Sequence, residues 1–336
     1  MRTIEGFAQH YAWGDPHAIP EILGRAADGQ PWAEWWLGTH PAGASTLSDG
    51  SPLAGASGPL PYLLKLLAAA QALSLQTHPD AQQAAEGFAR GAYTDPNAKP
   101  EMLCALSPFD ALCGFRPIPA TVALLRDLGL DELATTLHGQ GLRSTVTALY
   151  RGEIDHRAAS ELCRGQHTPE AQLVTRLAQR YPDDPSVAVT LLLNRVQLQP
   201  GEALFLGPGN LHAYLSGVGV EVMGASDNVI RGGLTTKAVD VDELLSILRF
   251  EELADPVLAP VLSQPGQWRY PTPDAPFELW RFDIADTMTH TATGRELLLC
   301  TDGDSGALHR GAAAYLAPGD TITLTGRSTV FCVTDS

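Results

Sequence analysis

"VQLQPGEALFLGPGNLHAYLSGVGVEVM", residues Val196 to Met223, decides the fold class. Its apolar runs are only a few residues long, and PG, GPGN and SG punctuate them. Helices need longer uninterrupted segments, so the pattern reads as short antiparallel strands joined by tight turns. The same theme returns in "AAAYLAPGDTITLTGRSTVFCV", residues 312 to 333. There "LAPGD" at 316–320 echoes "LQPGE" at 198–202, which predicts two related β-sandwich units. Upstream, "LPYLLKLLAAAQALSLQTHPD" at 60–80 fits helix or buried strand by period, and its Pro and Gln-Thr breaks favour strands.

Between these blocks the period changes. From 118 to 194, "TVALLRDLGLDELATTL" spaces its apolar residues three and four apart. "TPEAQLVTRLAQRY" opens with Thr168 as N-cap and Pro169 at the first helical position. The expected fold is mainly β, with two β-sandwich units and an inserted α-helical domain. His138, His156 and His167 in this helical segment read as surface or capping residues.

Composition limits the function. A chain of 336 residues, 44% apolar and 18% charged, buries a large core, and at ~150 residues per domain it holds two or three units. A net charge of −16 repels nucleic acid and anionic membrane, so neither is an expected partner. There is no signal-type apolar run at the start and no stretch long enough for a membrane helix. Cys104, Cys113, Cys163, Cys300 and Cys332 form an odd, scattered set with no CxxC. They read as reduced thiols, and the expected compartment is the cytoplasm.

The chemistry gathers in three stretches. In "SLQTHPD", Gln76 and His78 are two residues apart, which on a strand turns both to one face. "KPEM" offers Glu101, and "GNLHAYL" offers His212 where a strand should begin. Together they form a mixed nitrogen and oxygen set suited to zinc or a similar divalent ion, with room for water or substrate. Each also has a plainer reading: a hydrogen-bonded core histidine, a solvated Glu101 in a turn, Lys65 with its stem on the core and its ammonium in water, Arg231 as a loop cation. Spacing alone leaves both readings open.

Six stretches narrow the choice. "YAWG" at 11–14, "AEWWLGTHPAGAS" at 33–45, "LSLQTHPD" at 73–80, "NAKPEM" at 97–102, "PGNLHAYLSG" at 208–217 and "ASDNVIRGGLTTK" at 225–237 resemble type I mannose-6-phosphate isomerases, zinc-dependent enzymes of the cupin superfamily. The resemblance covers most of residues 1–250 and fades beyond. It implies two cupin-like, jelly-roll units: a catalytic one at 1–117 and 195–250, interrupted by a helical domain at 118–194, and a C-terminal one at 251–336. It places one Zn²⁺ per chain on Gln76, His78, Glu101 and His212. Lys99 falls on the family's active-site lysine, and Asp227 and Arg231 on its DNVxR motif. One departure is Ala98, where the family usually carries histidine.

The implied reaction interconverts mannose 6-phosphate and fructose 6-phosphate. An aldose–ketose isomerisation moves a proton between C1 and C2 through an enediol-like intermediate, which demands a base, a proton donor and positive charge at the developing oxyanion. Lysine can carry protons once its pKa is lowered, whereas arginine stays charged. Only three lysines occur, Lys65, Lys99 and Lys237, against nineteen arginines, and all three lie in the matching segments. Arg231, Lys99 and Asp227 are thus the expected catalytic residues. Ser74, Lys65 and Arg231 are the expected phosphate ligands, with Lys237 a weaker one. The expected assembly is a monomer. Rival readings are a non-catalytic sugar- or metal-binding cupin, an iron cupin, which would normally use three histidines, and a cupin-type phosphoglucose isomerase.

Overall fold

The structure is a computed structural model describing residues 1–335. Among these residues strands dominate and all named pairings are antiparallel, as the turn-punctuated sequence predicts. An eleven-stranded sheet system is built around the strand His212–Gly224, which pairs with Tyr62–Ala69, Leu75–Thr77, Glu101–Ala105 and Phe109–Phe115. An eight-stranded sheet contains most strands of the C-terminal third, with Ser328–Asp335 between Phe277–Ile284 and Glu296–Gly303, while Thr287–Thr291 and Thr321–Thr325 pair as a separate two-stranded sheet. No helix among the described residues is long and apolar enough to cross a membrane.

The ambiguous stretch at 60–80 is two strands, Tyr62–Ala69 and Leu75–Thr77. Every residue of the first is buried, because apolar side chains cover both of its faces. Leu64, Leu66 and Ala68 enter a core shared with Leu297, Leu299, Phe331 and Val333, while Leu67 enters a second core with Leu103 and Phe109. The two PG turns also correspond. Gly201 (φ 92) and Gly319 (φ 86) occupy the left-handed region where glycine is tolerated, and in each case the flanking strands pair with other strands rather than with each other.

The helical segment forms as its period predicts. Helices run over Ile118–Asp127, Asp131–Tyr150, Arg157–Cys163, Pro169–Arg180 and Ser186–Val189. The Thr168 hydroxyl accepts from the Ala171 N–H at 3.3 Å, the expected N-cap. The long second helix breaks at Gly141 (φ 77). This layer packs on the back of the site sheet: Leu211, Ala213 and Leu215 join the helical core, so the alternation of a strand turns His212 and Tyr214 to the opposite face.

Three strands depart from the predicted boundaries, and one of them, Thr46–Leu47, follows Arg2–Glu5 by pairing with it. Arg2–Glu5 pairs with Ala313–Leu316 and so joins the C-terminal sheet. Val257–Leu258 pairs with Ala203–Leu206 of the larger sheet system. Each supplies partners to a strand that would otherwise leave an open edge, a long-range requirement that no local pattern encodes.

Candidate active site

Sheet register assembles the site. His212 stands directly opposite Gln76 across one strand pair, and Arg231 stands opposite Gln76 across the next, so three residues far apart in sequence become lateral neighbours. Glu101 starts its strand opposite Met223 and Leu206. His78 follows the strand Leu75–Thr77.

His78, Glu101 and His212 are almost wholly buried, and one ligating atom from each lies within 4.8 Å of the others. His78 Nε2 is 3.3 Å from Glu101 Oε1, and His212 Nε2 is 3.4 Å from Glu101 Oε2. Despite this proximity His78 Nε2 and Glu101 Oε2 make no hydrogen bond, a costly arrangement in a buried place unless something else binds them. Both imidazoles are fixed from behind: Nδ1 of His78 contacts the Asn228 carbonyl at 2.8 Å, and Nδ1 of His212 contacts that of Asn210 at 3.1 Å. A donor hydrogen on Nδ1 leaves the Nε2 lone pair facing the cluster, as a metal-bound histidine requires. Burial lowers the pKa of His78, favouring the neutral ligand form. Burial works to raise that of Glu101, yet the basic groups around it, the Lys99 ammonium 3.1 Å away among them, hold it well below its usual range and favour the anion.

Gln76 lies beside this cluster. Its amide Nε2 sits 3.5 Å from His212 Nε2, and Ser74 Oγ donates to its Oε1 at 3.3 Å. Rotation of the amide about its last bond brings Oε1, its only cation-binding atom, to the cluster. Orphaned lone pairs, fixed rings, an anionic carboxylate and a nearby amide form a donor set that fits Zn²⁺.

Above it opens a cleft of about 550 Å³ that all three lysines of the chain line. Lys99 Nζ lies 3.1 Å from Glu101 Oε1 and its residue is buried. Lys65 does not follow the plainer reading of an ammonium in water: its buried Nζ donates to Glu221 Oε2 at 2.8 Å and Glu34 Oε1 at 3.4 Å. Burial would lower its pKa, but Glu221, Glu34 and Glu101 outweigh that and raise it. Its charge is committed to carboxylates, which disfavours the expected phosphate role. Asp227 is exposed at the cleft, with Oδ1 3.2 Å from His40 Nε2. Ser74, Arg231 and Lys237 line the cleft; the Arg231 and Lys237 side chains have no ionic or hydrogen-bonding partner among the described residues. His138, His156 and His167 lie outside it.

Sequence reading missed Glu34 and Glu221. Glu221 lies in a stretch read only as strand and Glu34 in one quoted only for the family resemblance, and the signal available was an acidic residue within each apolar run, in "AEWW" and "VGVEVM". Burial raises the Glu221 pKa in spite of Lys65, and Tyr214 Oη donates to its Oε1 at 2.9 Å. Arg180 and Tyr181 were missed too; both come from the helical segment and line the cleft.

Comparison with known proteins agrees with this geometry. The family described as phosphomannose isomerase type I, catalytic domain, matches residues 53–118. The mannose-6-phosphate isomerase of Shigella flexneri is 33% identical across 95% of this chain and 93% of its own length. The chain belongs to the mannose-6-phosphate isomerase family. The phosphomannose isomerase family's solved structures share the whole fold. A variant of the Salmonella typhimurium enzyme superposes with a TM-score of 0.90 at 30% identity, covering 100% of this chain and 99% of that one. The Salmonella typhimurium enzyme bound to fructose 6-phosphate and zinc superposes with a TM-score of 0.87 at 30% identity, with the same coverage.

Proposed function

We propose that this chain interconverts mannose 6-phosphate and fructose 6-phosphate as a zinc-dependent isomerase. The observation that carries the reading is the pair of buried, unpartnered ligating atoms, His78 Nε2 and Glu101 Oε2, at the floor of a cleft lined by lysines and Arg231. Family membership gives the reaction its substrates. Gln76, His78, Glu101 and His212 hold the ion, one per chain. Zinc supplies Lewis acidity and fixed positive charge beside substrate oxygens.

The chain's own residues do the rest. Lys99, buried next to a ligand, is placed to hold or deliver a proton at C1 or C2, and Glu221, pushed up by burial, is a second group able to carry one. Arg231 presents an uncompensated guanidinium to the enediolate oxygen. Asp227, exposed and next to His40, is better placed to meet substrate at the mouth than to move the buried proton. Ser74, Arg231 and Lys237 take the phosphate, whose remote binding energy holds C1 and C2 in register.

The reading extends to architecture. Two cupin-like jelly rolls, 1–117 with 195–250 and 251–336, flank the helical domain at 118–194, with the strands Arg2–Glu5, Thr46–Leu47 and Val257–Leu258 exchanged across the boundary. The correspondence of the two PG turns supports it. The working assembly is a monomer in the cytoplasm.

Incubation of zinc-loaded and chelator-stripped protein with fructose 6-phosphate in D₂O, followed by NMR, tests the reaction. Mannose 6-phosphate should appear only with metal. Glucose 6-phosphate, or no turnover in either sample, removes the reading.

A further inference from the structure

We propose that the helical segment is part of the substrate site: Arg180, the last residue of the helix Pro169–Arg180, binds the substrate phosphate together with Arg231 and Lys237. The inference rests on the sugar-phosphate reading and adds to it a residue from the element that sequence reading left without chemistry.

The charges of the cleft carry the argument. Five cationic side chains line it: Lys65, Lys99, Arg180, Arg231 and Lys237. Lys65 is matched by Glu221 and Glu34, and Lys99 by Glu101. The other three have no carboxylate partner among the described residues. Arg180 donates only to the neutral carbonyl of the Gln71 side chain and lies 5.5 Å over the Tyr181 ring, contacts that hold the guanidinium without cancelling its charge. In a chain of net charge −16, a cleft whose five cations outnumber the carboxylates of Glu34, Glu101, Glu221 and Asp227, with three of those cations free of any carboxylate partner, is a local reversal of sign suited to a phosphate.

The helical segment also fixes the backbone that carries the other two cations. Tyr150 Oη donates to the Gly232 carbonyl at 2.6 Å. The Leu234 N–H donates to Asp184 Oδ2 at 2.8 Å and to Ser186 Oγ at 3.1 Å. Leu234 itself has φ 52, a conformation a leucine rarely adopts unless its surroundings impose it. A side chain at Gly233 would strike Ser186, with 2.1 Å to its Oγ. Arg231 and Lys237 therefore stand at either end of a segment clamped by the helical layer, and Arg180 belongs to that same layer.

The test compares Arg180→Ala with Arg176→Ala. Arg176 is one helical turn away, is exposed and does not line the cleft, so its loss changes net charge equally. Zinc-loaded protein is used throughout, at one ionic strength. Arg180→Ala should raise KM for fructose 6-phosphate and the dissociation constant of inorganic phosphate by roughly tenfold or more, the scale of a charge-assisted hydrogen bond. Its kcat should stay within about twofold and its zinc content should not change, while Arg180→Lys recovers part of the loss. Arg176→Ala should leave all of these in place. Equal behaviour of the two alanine variants, or a fall in kcat at unchanged KM for Arg180→Ala, overturns the assignment. If the wild type turns over neither sugar phosphate, the functional reading fails separately, and phosphate binding still decides the role of Arg180.

Discussion

Each half of the molecule contains a cluster of histidine, glutamate and a third ligating residue, His212 in one and Cys332 in the other, and the two differ most in what their polar atoms bind. In the larger sheet system, His78, Glu101 and His212 approach one another at 3.3 and 3.4 Å, and His78 Nε2 and Glu101 Oε2 remain unpartnered. In the C-terminal sheet, His290, Glu296 and Cys332 lie as close together, but their atoms are engaged with one another. His290 Nε2 contacts Glu296 Oε2 at 2.5 Å, the Cys332 thiol donates to the same oxygen at 3.4 Å, and the Thr293 N–H donates to Glu296 Oε1 at 3.0 Å. Proximity is alike in the two places, and each pairs a glutamate with a histidine, the third residue being His in one and Cys in the other. Unpartnered lone pairs, not proximity, distinguish a metal site from a buried carboxylate with its donors already in place.

The sharpest way to break the comparison is to delete a ligand from the first cluster. His212→Ala leaves three protein ligands and should lower bound zinc and activity together, by more than the roughly 10- to 100-fold that losing a partner one shell further out brings. Metal analysis beside initial rates checks it; full zinc content in the variant would reduce His212 to a residue at a turn.

Next in size is the separation of metal binding from chemistry. Arg231→Ala should keep its zinc and its fold while kcat falls by roughly 10²- to 10³-fold, the scale of one lost preorganised charge donor. Arg231→Lys should recover only part, because a compact ammonium lacks the planar fork of donors. A rise in KM at unchanged kcat would make Arg231 a phosphate anchor alone.

The two clusters also show what was legible beforehand. Gln76, His78, Glu101 and His212 sit in short stretches whose turn and strand signals are local, so they could be singled out as a candidate set, though spacing left their role open until the family resemblance chose it, and His78 falls just past the strand that was expected to carry it. Glu221 and Glu34 could not be read this way: each is one acidic residue in an apolar strand, and only sheet register places Glu221 opposite Lys65. The same register converts Lys65 from an apparent phosphate ligand into the centre of a buried ion pair. Arg180 was invisible because a helix period says which face is apolar and not which loop its last residue meets. The pairing of Arg2–Glu5 with residues more than 300 positions away lies beyond any local pattern.

A smaller effect is expected from the second cluster. Glu296→Ala removes the acceptor for His290, Thr293 and Cys332; of these only the Cys332 thiol is fully buried, and a donor left buried without a partner costs about 1–3 kcal/mol. Denaturant unfolding should report that loss, while zinc content and kcat per folded molecule stay at wild-type values. Loss of a second equivalent of zinc would instead show that the C-terminal cluster binds metal.

The smallest expected change comes from Cys332→Ser, and it tests the comparison most directly. A thiol ligates as the thiolate, and burial together with the adjacent Glu296 carboxylate pushes the Cys332 pKa well above its ordinary range, so near neutral pH it keeps its proton. The first cluster contains no sulfur. Replacing zinc by cobalt(II) should therefore give a spectrum without a thiolate-to-cobalt charge-transfer band, and Cys332→Ser should give the same spectrum, the same metal content and the same turnover. A thiolate band in the wild type that disappears in Cys332→Ser would show the metal displacing the thiol proton and entering the C-terminal cluster. Proximity would then have been the better guide than unpartnered lone pairs, and the contrast between the two halves would fail.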